Sequence, residues 1–252
     1  MMLHYKEYGN PSAPLMIFIH GGGVSSWMWD KQIQYFTDYH CLVPDLPGQG
    51  KSVIYGKFTI QSCAEMLIEL IESKAMGKKV IAIGFSLGAQ ILIAMLSIKP
   101  DLFDCSVINS ALVRPFPLEK LWIALIKLLL PLIKNRTFSK IQAESMYLEK
   151  EYFETYFQES LLMSKDTLVN IMEENMSFRI PDNFKNARGK ILVTVGEQEK
   201  RIMKKSLADI LKSNSNCKGL IIPHVGHGVS LANPDFFNKL IKYWVHTTLF
   251  EQ

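Results

Sequence analysis

The chain has 252 residues, 48% of them apolar and 21% charged, a balance that supports a full-sized core, and it has no low-complexity tract or repeat of the kind that marks disorder or a solenoid. Its net charge of +4 comes from 28 basic and 24 acidic residues without the Lys/Arg stripe that a phosphate backbone requires, so no nucleic acid is expected as partner. Four cysteines lie far apart with no CxxC pair, and Met1–Glu7 lacks the features of a secretory signal; both point to a reducing, cytoplasmic location.

Short runs rich in Ile, Val and Leu occur at Leu15–Ile19, Cys41–Pro44, Val80–Ile83, Cys105–Ile108, Ile191–Val195 and Gly219–Ile222. Each ends in small or turn-forming residues, as strands buried on both faces of a parallel sheet do. Between most of them lie longer segments with helical spacing, such as Ser62–Ala75 and Leu87–Ile98. The alternation predicts an α/β fold, doubly wound around a mostly parallel sheet.

The rhythm breaks between Asn109 and Lys190, where helical patterns run on without a strand. A helical insertion over 113–188 is expected, with 1–112 and 189–252 forming the core. Its first segment, Leu118–Ile133, is strongly apolar but short, and Lys120, Lys127 and Pro131 interrupt it. No stable membrane insertion is expected of it; it reads as a lid helix facing a pocket, whose apolar face is also suited to a lipid surface.

Chemistry enters at Gly84-Phe85-Ser86-Leu87-Gly88. A G-x-S-x-G run has weight only between a strand and a helix, and here Lys78–Ile83 precedes it while Leu87–Leu96 follows. Ser86 therefore sits at the bend, where small glycines let strand and helix approach. A serine hydroxyl needs a base to become a nucleophile near pH 7. His227, in Pro223-His224-Val225-Gly226-His227-Gly228 after the last strand, is the first choice and His224 its neighbouring competitor.

The imidazole in turn needs a carboxylate to hold its tautomer and balance its charge. The loop after Ile191–Val195 offers Glu199, the better placed for a turn back to His227, and Glu197, better suited to the turn itself. For a developing oxyanion the expected donors are the Leu87 N–H at the helix start and a glycine N–H from His20-Gly21-Gly22-Gly23, with Gly22 preferred and Gly23 the alternative. His20 ends its strand and shapes that loop. No metal or organic cofactor is called for.

On these residues the chain resembles the α/β-hydrolase superfamily, down to the order Ser, acid, His. Asp45-Leu46-Pro47-Gly48-Gln49-Gly50-Lys51-Ser52 is similar to that family's DxPGxGxS turn, and Asn233–Phe237 extends the likeness beyond the histidine. Two positions depart: Glu199 stands where the family usually has Asp, and Gln49 where it commonly has His.

The resemblance implies that Arg114–Arg188 caps the active site and sets selectivity. Trp122, Phe85, Leu125 and Met146 are the expected substrate-binding residues, with Leu129 and Phe138 as further candidates. It also implies a small-molecule ester substrate, with carbon–carbon bond hydrolysis or lysis, thioester cleavage, or a ligand receptor without turnover as rivals. A homodimer is compatible with the sequence.

Overall fold

A computed structural model describes residues 3–54 and 56–249; Met1 and Met2 and the side chains of residues 119, 120, 130 and 131, Lys120 and Pro131 among them, lie outside the described residues. In chain order the elements are β1 (Tyr5–Tyr8), β2 (Leu15–Ile19), α1 (Asp30–Tyr35), β3 (His40–Pro44), α2 (Ile60–Ala75), β4 (Val80–Phe85), α3 (Leu87–Ile98) and β5 (Cys105–Asn109). Four helices follow: α4 (Glu119–Ile133), α5 (Arg136–Ser145), α6 (Phe153–Leu162) and α7 (Lys165–Ser177). The chain then returns to β6 (Lys190–Gly196), α8 (Arg201–Ser213), β7 (Cys217–Ile222), α9 (Val229–Ala232) and α10 (Pro234–Leu249).

The strands form a seven-stranded sheet in the order β1-β3-β2-β4-β5-β6-β7. All pairs are parallel except β1 with β3. Successive side chains of a strand face opposite ways, and both faces are buried here. Leu15, Ile17 and Ile19 pack with α2 and α3, whereas Met16 and Phe18 pack with Trp29 and with Phe237 and Ile241 of α10. This is a doubly wound α/β fold, with helices on both faces of a mostly parallel sheet.

Helix α2 shows how the sequence sets these layers. Thr59 caps it by accepting from the Ser62 N–H, and Ile60, Cys63, Ala64, Leu67, Ile68 and Ile71 recur at helical spacing on its buried face. Burying each of the isoleucines and the leucine among them is worth about 1.5–3 kcal/mol. The outermost strands depart from the all-apolar pattern. β1 is half exposed, and β7 has only Ile222 buried, since an edge strand needs an apolar lining on fewer sides.

Sheet order positions the chemistry. The chain passes from β2 outward to β3, then crosses back to β4 on the other side of β2. The loops leaving the carboxyl ends of β2 and β4 therefore lie side by side at a point where strand order reverses, the usual location of ligand sites in such sheets. Register pairs Ile19 with Gly84, which sets His20–Gly23 beside Phe85 and Ser86. Among the described residues, no helix is long and apolar enough to cross a membrane.

Candidate active site

Strand β4 ends at Phe85 and α3 begins at Leu87, so Ser86 alone turns strand into helix. Its backbone sits at φ 53° and ψ −112°, a conformation that costs a residue with a β-carbon about 1–3 kcal/mol. The surroundings enforce it. A β-carbon on Gly84 would lie 2.6 Å from the Gly88 carbonyl oxygen, and one on Gly88 would lie 2.2 Å from that of Ile19. Ser86 N–H donates to the Asn109 carbonyl at 2.9 Å, while the Ser86 carbonyl accepts from Ala89 and Gln90. The hydroxyl projects off the bend, and Leu87, first in the helix, has an N–H with no carbonyl one turn behind it.

Ser86 Oγ lies 3.0 Å from His227 Nε2, and His227 Nδ1 lies 2.8 Å from Glu199 Oε2. The other carboxylate oxygen accepts from the Gly196 N–H at 2.8 Å and from the Ser110 hydroxyl at 2.7 Å. Burial by itself raises the Glu199 carboxyl. The His227 ring, the Gly196 N–H and the Ser110 hydroxyl outweigh it and hold the group below the ordinary glutamate range. With both oxygens engaged, Glu199 fixes a proton on His227 Nδ1 and leaves Nε2 free to accept one from Ser86. Phe85 packs against the His227 ring at 4.9 Å between centroids.

The alternatives fall elsewhere. Glu197 Oε2 accepts from the His224 N–H at 2.9 Å, and the His224 side chain is 91% exposed. These two residues close a turn at the surface rather than reaching Ser86.

On the β2 side, His20 is wholly buried. Its Nδ1 is 2.7 Å from the Gly21 carbonyl and its Nε2 accepts from the Leu46 N–H at 2.8 Å. Neutral imidazole with its proton on Nδ1 satisfies both, and burial pushes the ring down to about 4. His20 thus joins the glycine loop to the turn after β3. That turn adds a second tie: Gln49 Oε1 accepts from the Gly23 N–H at 2.7 Å. The bond consumes the Gly23 donor; the N–H groups of Gly21 and Gly22 have no partner among the described residues, and of these two Gly22 lines a cavity at Ser86.

Among the described residues, two cavities open on Ser86. One, of about 340 Å³, is lined by Gly22, Gly23 and Leu87 from the core and by uncharged side chains of the helical insertion, Met146, Tyr156, Ile171 and Met172 among them. The other, of about 430 Å³, lies toward α8 and is lined by Leu112, Phe116, Ile202 and Met203, with Gln198, Lys200 and His227. Among the described residues no group of three or more His, Cys, Asp or Glu is arranged to hold a metal ion.

The expected lining is met only in part. Met146 lines the first cavity. Trp122 and Leu125 line neither, and with Leu129 they are 45%, 40% and 39% exposed. The reason is helix phase: α4 turns Ile123, Ile126 and Ile133 toward Val169 and Met176 of α7, so Trp122 and Leu125, each one position before a buried-face isoleucine, face outward. Phe85 also lines neither cavity and serves as packing for His227. Phe138 is half-buried and lines neither as well.

Sequence reasoning missed Ser110, whose hydroxyl supports Glu199, and the role of Gln49. It missed as well a polar pair, the buried Gln90 on α3 and the half-buried Asn175 on α7. The polar step Asn109-Ser110 at the end of a strand was the available signal for the first; nothing local marks the pair.

A sequence model of the alpha/beta hydrolase family matches residues 16–240. The chain belongs to the alpha/beta hydrolase family. Among curated members, pimeloyl-(acyl-carrier protein) methyl ester esterase of Wigglesworthia glossinidia brevipalpis is 28% identical over 91% of this chain and 93% of its own. The (E)-2-((N-methylformamido)methylene)succinate hydrolase of Acinetobacter baylyi is 25% identical over 97% of this chain and 94% of its own. A carboxylesterase structure from the Thaumarchaeon Nitrososphaera gargenis superimposes with a TM-score of 0.80 at 15% identity, covering 99% of this chain and 96% of that one. At that identity the likeness is one of alpha/beta hydrolase fold.

Proposed function

We propose that this alpha/beta hydrolase cleaves small to medium apolar carboxylic esters through an acyl-enzyme on Ser86, with His227 as base and Glu199 as its carboxylate partner. The observation that carries the reading is the unbroken line of contacts, 2.8 Å and 3.0 Å, from a buried carboxylate through one imidazole to a serine on a strained bend. His227 Nε2 takes the Ser86 proton as Oγ attacks the ester carbonyl. The N–H groups of Gly22 and Leu87 receive the oxyanion, and His227 returns the proton to the leaving alkoxide. Water then repeats the sequence to release the acid.

The uncharged lining of the first cavity supports a neutral, largely apolar group on that side, and the helical insertion that supplies it acts as a selectivity cap over residues 113–188. Ester-cleaving names among the relatives support an ester over other acyl bonds. The cysteines are all free thiols. Burial pushes Cys41, Cys105 and Cys217 up to about 12 and Cys63 up as well, which supports an inert, reduced set suited to the cytoplasm.

The test is labelling with a fluorophosphonate followed by turnover of nitrophenyl esters of graded chain length. Stoichiometric labelling at Ser86, and its loss together with turnover in Ser86→Ala, is the expected result. A chain that is folded yet neither labelled nor active on any ester overturns the proposal. Labelling accompanied by cleavage of diketones and not of esters redirects the same residues to carbon–carbon bonds.

A further inference from the structure

Ser86 and Asn175 are the two residues that line both cavities. Asn175 stands on α7, in the helical insertion, and is held by a residue of the nucleophile's own helix. Gln90, one turn after Ser86 on α3, is wholly buried. Its Nε2 lies 2.6 Å from the Leu112 carbonyl and 2.9 Å from that of Asn175.

Backbone carbonyls only accept, so this end of the Gln90 amide is the NH2 and the other end is the oxygen. Oε1 then faces Asn175, which meets it with its own NH2 at 2.9 Å. The usual ambiguity of an amide's two ends is thereby removed for Asn175 as well. Its nitrogen belongs to Gln90, and the group left over is the carbonyl oxygen. Asn175 Oδ1 has no partner among the described residues and is not sealed away from solvent.

We infer that Asn175 is a substrate-binding residue, whose side-chain oxygen accepts a hydrogen bond from an O–H or N–H carried by the ester close to its scissile bond. The inference rests on the hydrolase reading above and names its substrate class: hydroxy or acylamino esters with a substantial group on each side of the bond. A carbonyl oxygen placed where the two cavities meet rewards a donor. A plain hydrocarbon at that point leaves the oxygen stripped of water and unpaired. Gln90 acts through Asn175 as a positioning residue, since it decides which end of the amide faces substrate.

The experiment compares matched esters: the phenyl esters of 2-hydroxybutanoate against 2-methylbutanoate and of 3-hydroxybutanoate against 3-methylbutanoate, and on the alcohol side 2-hydroxypropyl against isobutyl butanoate. Each kcat/KM ratio is divided by the ratio for alkaline hydrolysis, which removes the intrinsic effect of the hydroxyl. In the wild type at least one pair is expected to favour the hydroxyl about three- to tenfold, the worth of one neutral hydrogen bond. In Asn175→Leu the ratio falls to about one, and Asn175→Ala reads the same ratio if the leucine variant does not fold. A wild-type ratio near one for every pair, or a preference that survives both substitutions, overturns the inference while leaving the hydrolase reading intact. Failure of every ester together with absence of fluorophosphonate labelling overturns both.

Discussion

Gln49 Oε1 accepts the Gly23 N–H at 2.7 Å, so the residue that departs from the family's usual histidine holds the loop presenting Gly22. The same side chain carries a cost, because its Nε2 is buried with no partner among the described residues. Replacing Gln49 by Met removes a useful bond and an orphaned donor together. These changes are of similar size, about 1–3 kcal/mol for the orphan and about 1 for the bond. Gln49→Met is therefore expected to leave the urea midpoint near that of the wild type while kcat/KM on the proposed ester substrate falls roughly tenfold through the misplaced oxyanion donor. Gln49→His keeps an acceptor and retains activity. Unchanged turnover in Gln49→Met removes Gln49 from the site.

Glu199 presents one oxygen to two donors and the other to His227. In Glu199→Gln the amide oxygen takes the place facing Ser110 and Gly196, which turns the new NH2 toward His227 Nδ1. His227 then accepts at Nδ1 and carries its proton on Nε2, the wrong tautomer for receiving one from Ser86. A loss of about 10⁴ in kcat is the precedent for this exchange in a serine protease, and a loss of at least about 10³ is expected here with folding intact. Glu197→Gln, which touches only the His224 turn, stays within about threefold of wild type, as surface changes away from a site do. Steady-state kinetics with circular dichroism as the folding control decides between them.

Five apolar strands were legible because burial on both sheet faces demands uninterrupted Ile, Val and Leu; β7 was legible from Leu220–Ile222 although, at the sheet edge, only Ile222 of it is buried. β1 was not, since Tyr5-Lys6-Glu7-Tyr8 lies half exposed at the sheet edge and carries no apolar run, its ties to β3 being the backbone ladder and a Glu7–His40 contact. Ser86, His227 and Glu199 were legible because each stands in a loop after a strand and a parallel sheet gathers those loops at one end. Ser110 reaches Glu199 only because β5 pairs with β6, and strand order is not written in any local pattern. Asn175 meets Gln90 through packing of the insertion on α3, a contact between residues 85 positions apart in the chain. The outward phase of Trp122 and Leu125 had the same origin: which side of α4 is buried depends on where α7 lies.

That phase is testable through substrate length. Met146 lines the cavity beside Ser86, so Met146→Trp fills space and is expected to lower kcat/KM for long acyl esters at least about tenfold relative to acetate, a group each extra methylene of which is worth roughly 0.8 kcal/mol when buried. Trp122→Ser, on the outer face of α4, leaves the chain-length profile unchanged. A shortened profile in Trp122→Ser and none in Met146→Trp reverses the assignment.

His20 gives the fold an acid sensitivity. Its ordinary value of 6.5 is pushed down to about 4 in the folded state by burial, so below pH 6.5 the unfolded chain takes a proton that the folded chain refuses. Stability is fully present above that range and is lost as pH falls from about 6.5 to about 4, at about 1.4 kcal/mol per unit. The contribution of this one ring amounts to about 3 kcal/mol over the interval. Urea unfolding at pH 7.5 and 4.5 is expected to show a steep loss in the wild type and a smaller one in His20→Asn, whose side chain does not titrate. Equal losses in the two proteins exclude His20 as the source.

Glu159 sets the opposite dependence where the insertion docks on the core. From α6 its carboxylate accepts from the Ser25 hydroxyl at 2.8 Å and from Trp27 Nε1 at 2.9 Å, beside the stacked rings of Trp27 and Tyr152. Burial raises this carboxyl above the ordinary glutamate value, against the two hydrogen bonds that lower it. A folded-state acid with a raised value favours the protonated form, so its contribution to stability is greatest at low pH and declines as pH rises through the folded value. Glutamine reproduces the protonated form: its oxygen accepts from Trp27, and its NH2 donates to a Ser25 hydroxyl that is free to turn. Glu159→Gln is therefore expected to raise the thermal midpoint at pH 7.5 and to leave it unchanged near pH 4, where the wild-type carboxyl is itself protonated. A lower midpoint at pH 7.5 means that the charge, and not only the pair of hydrogen bonds, holds α6 to the loop that carries Gly22.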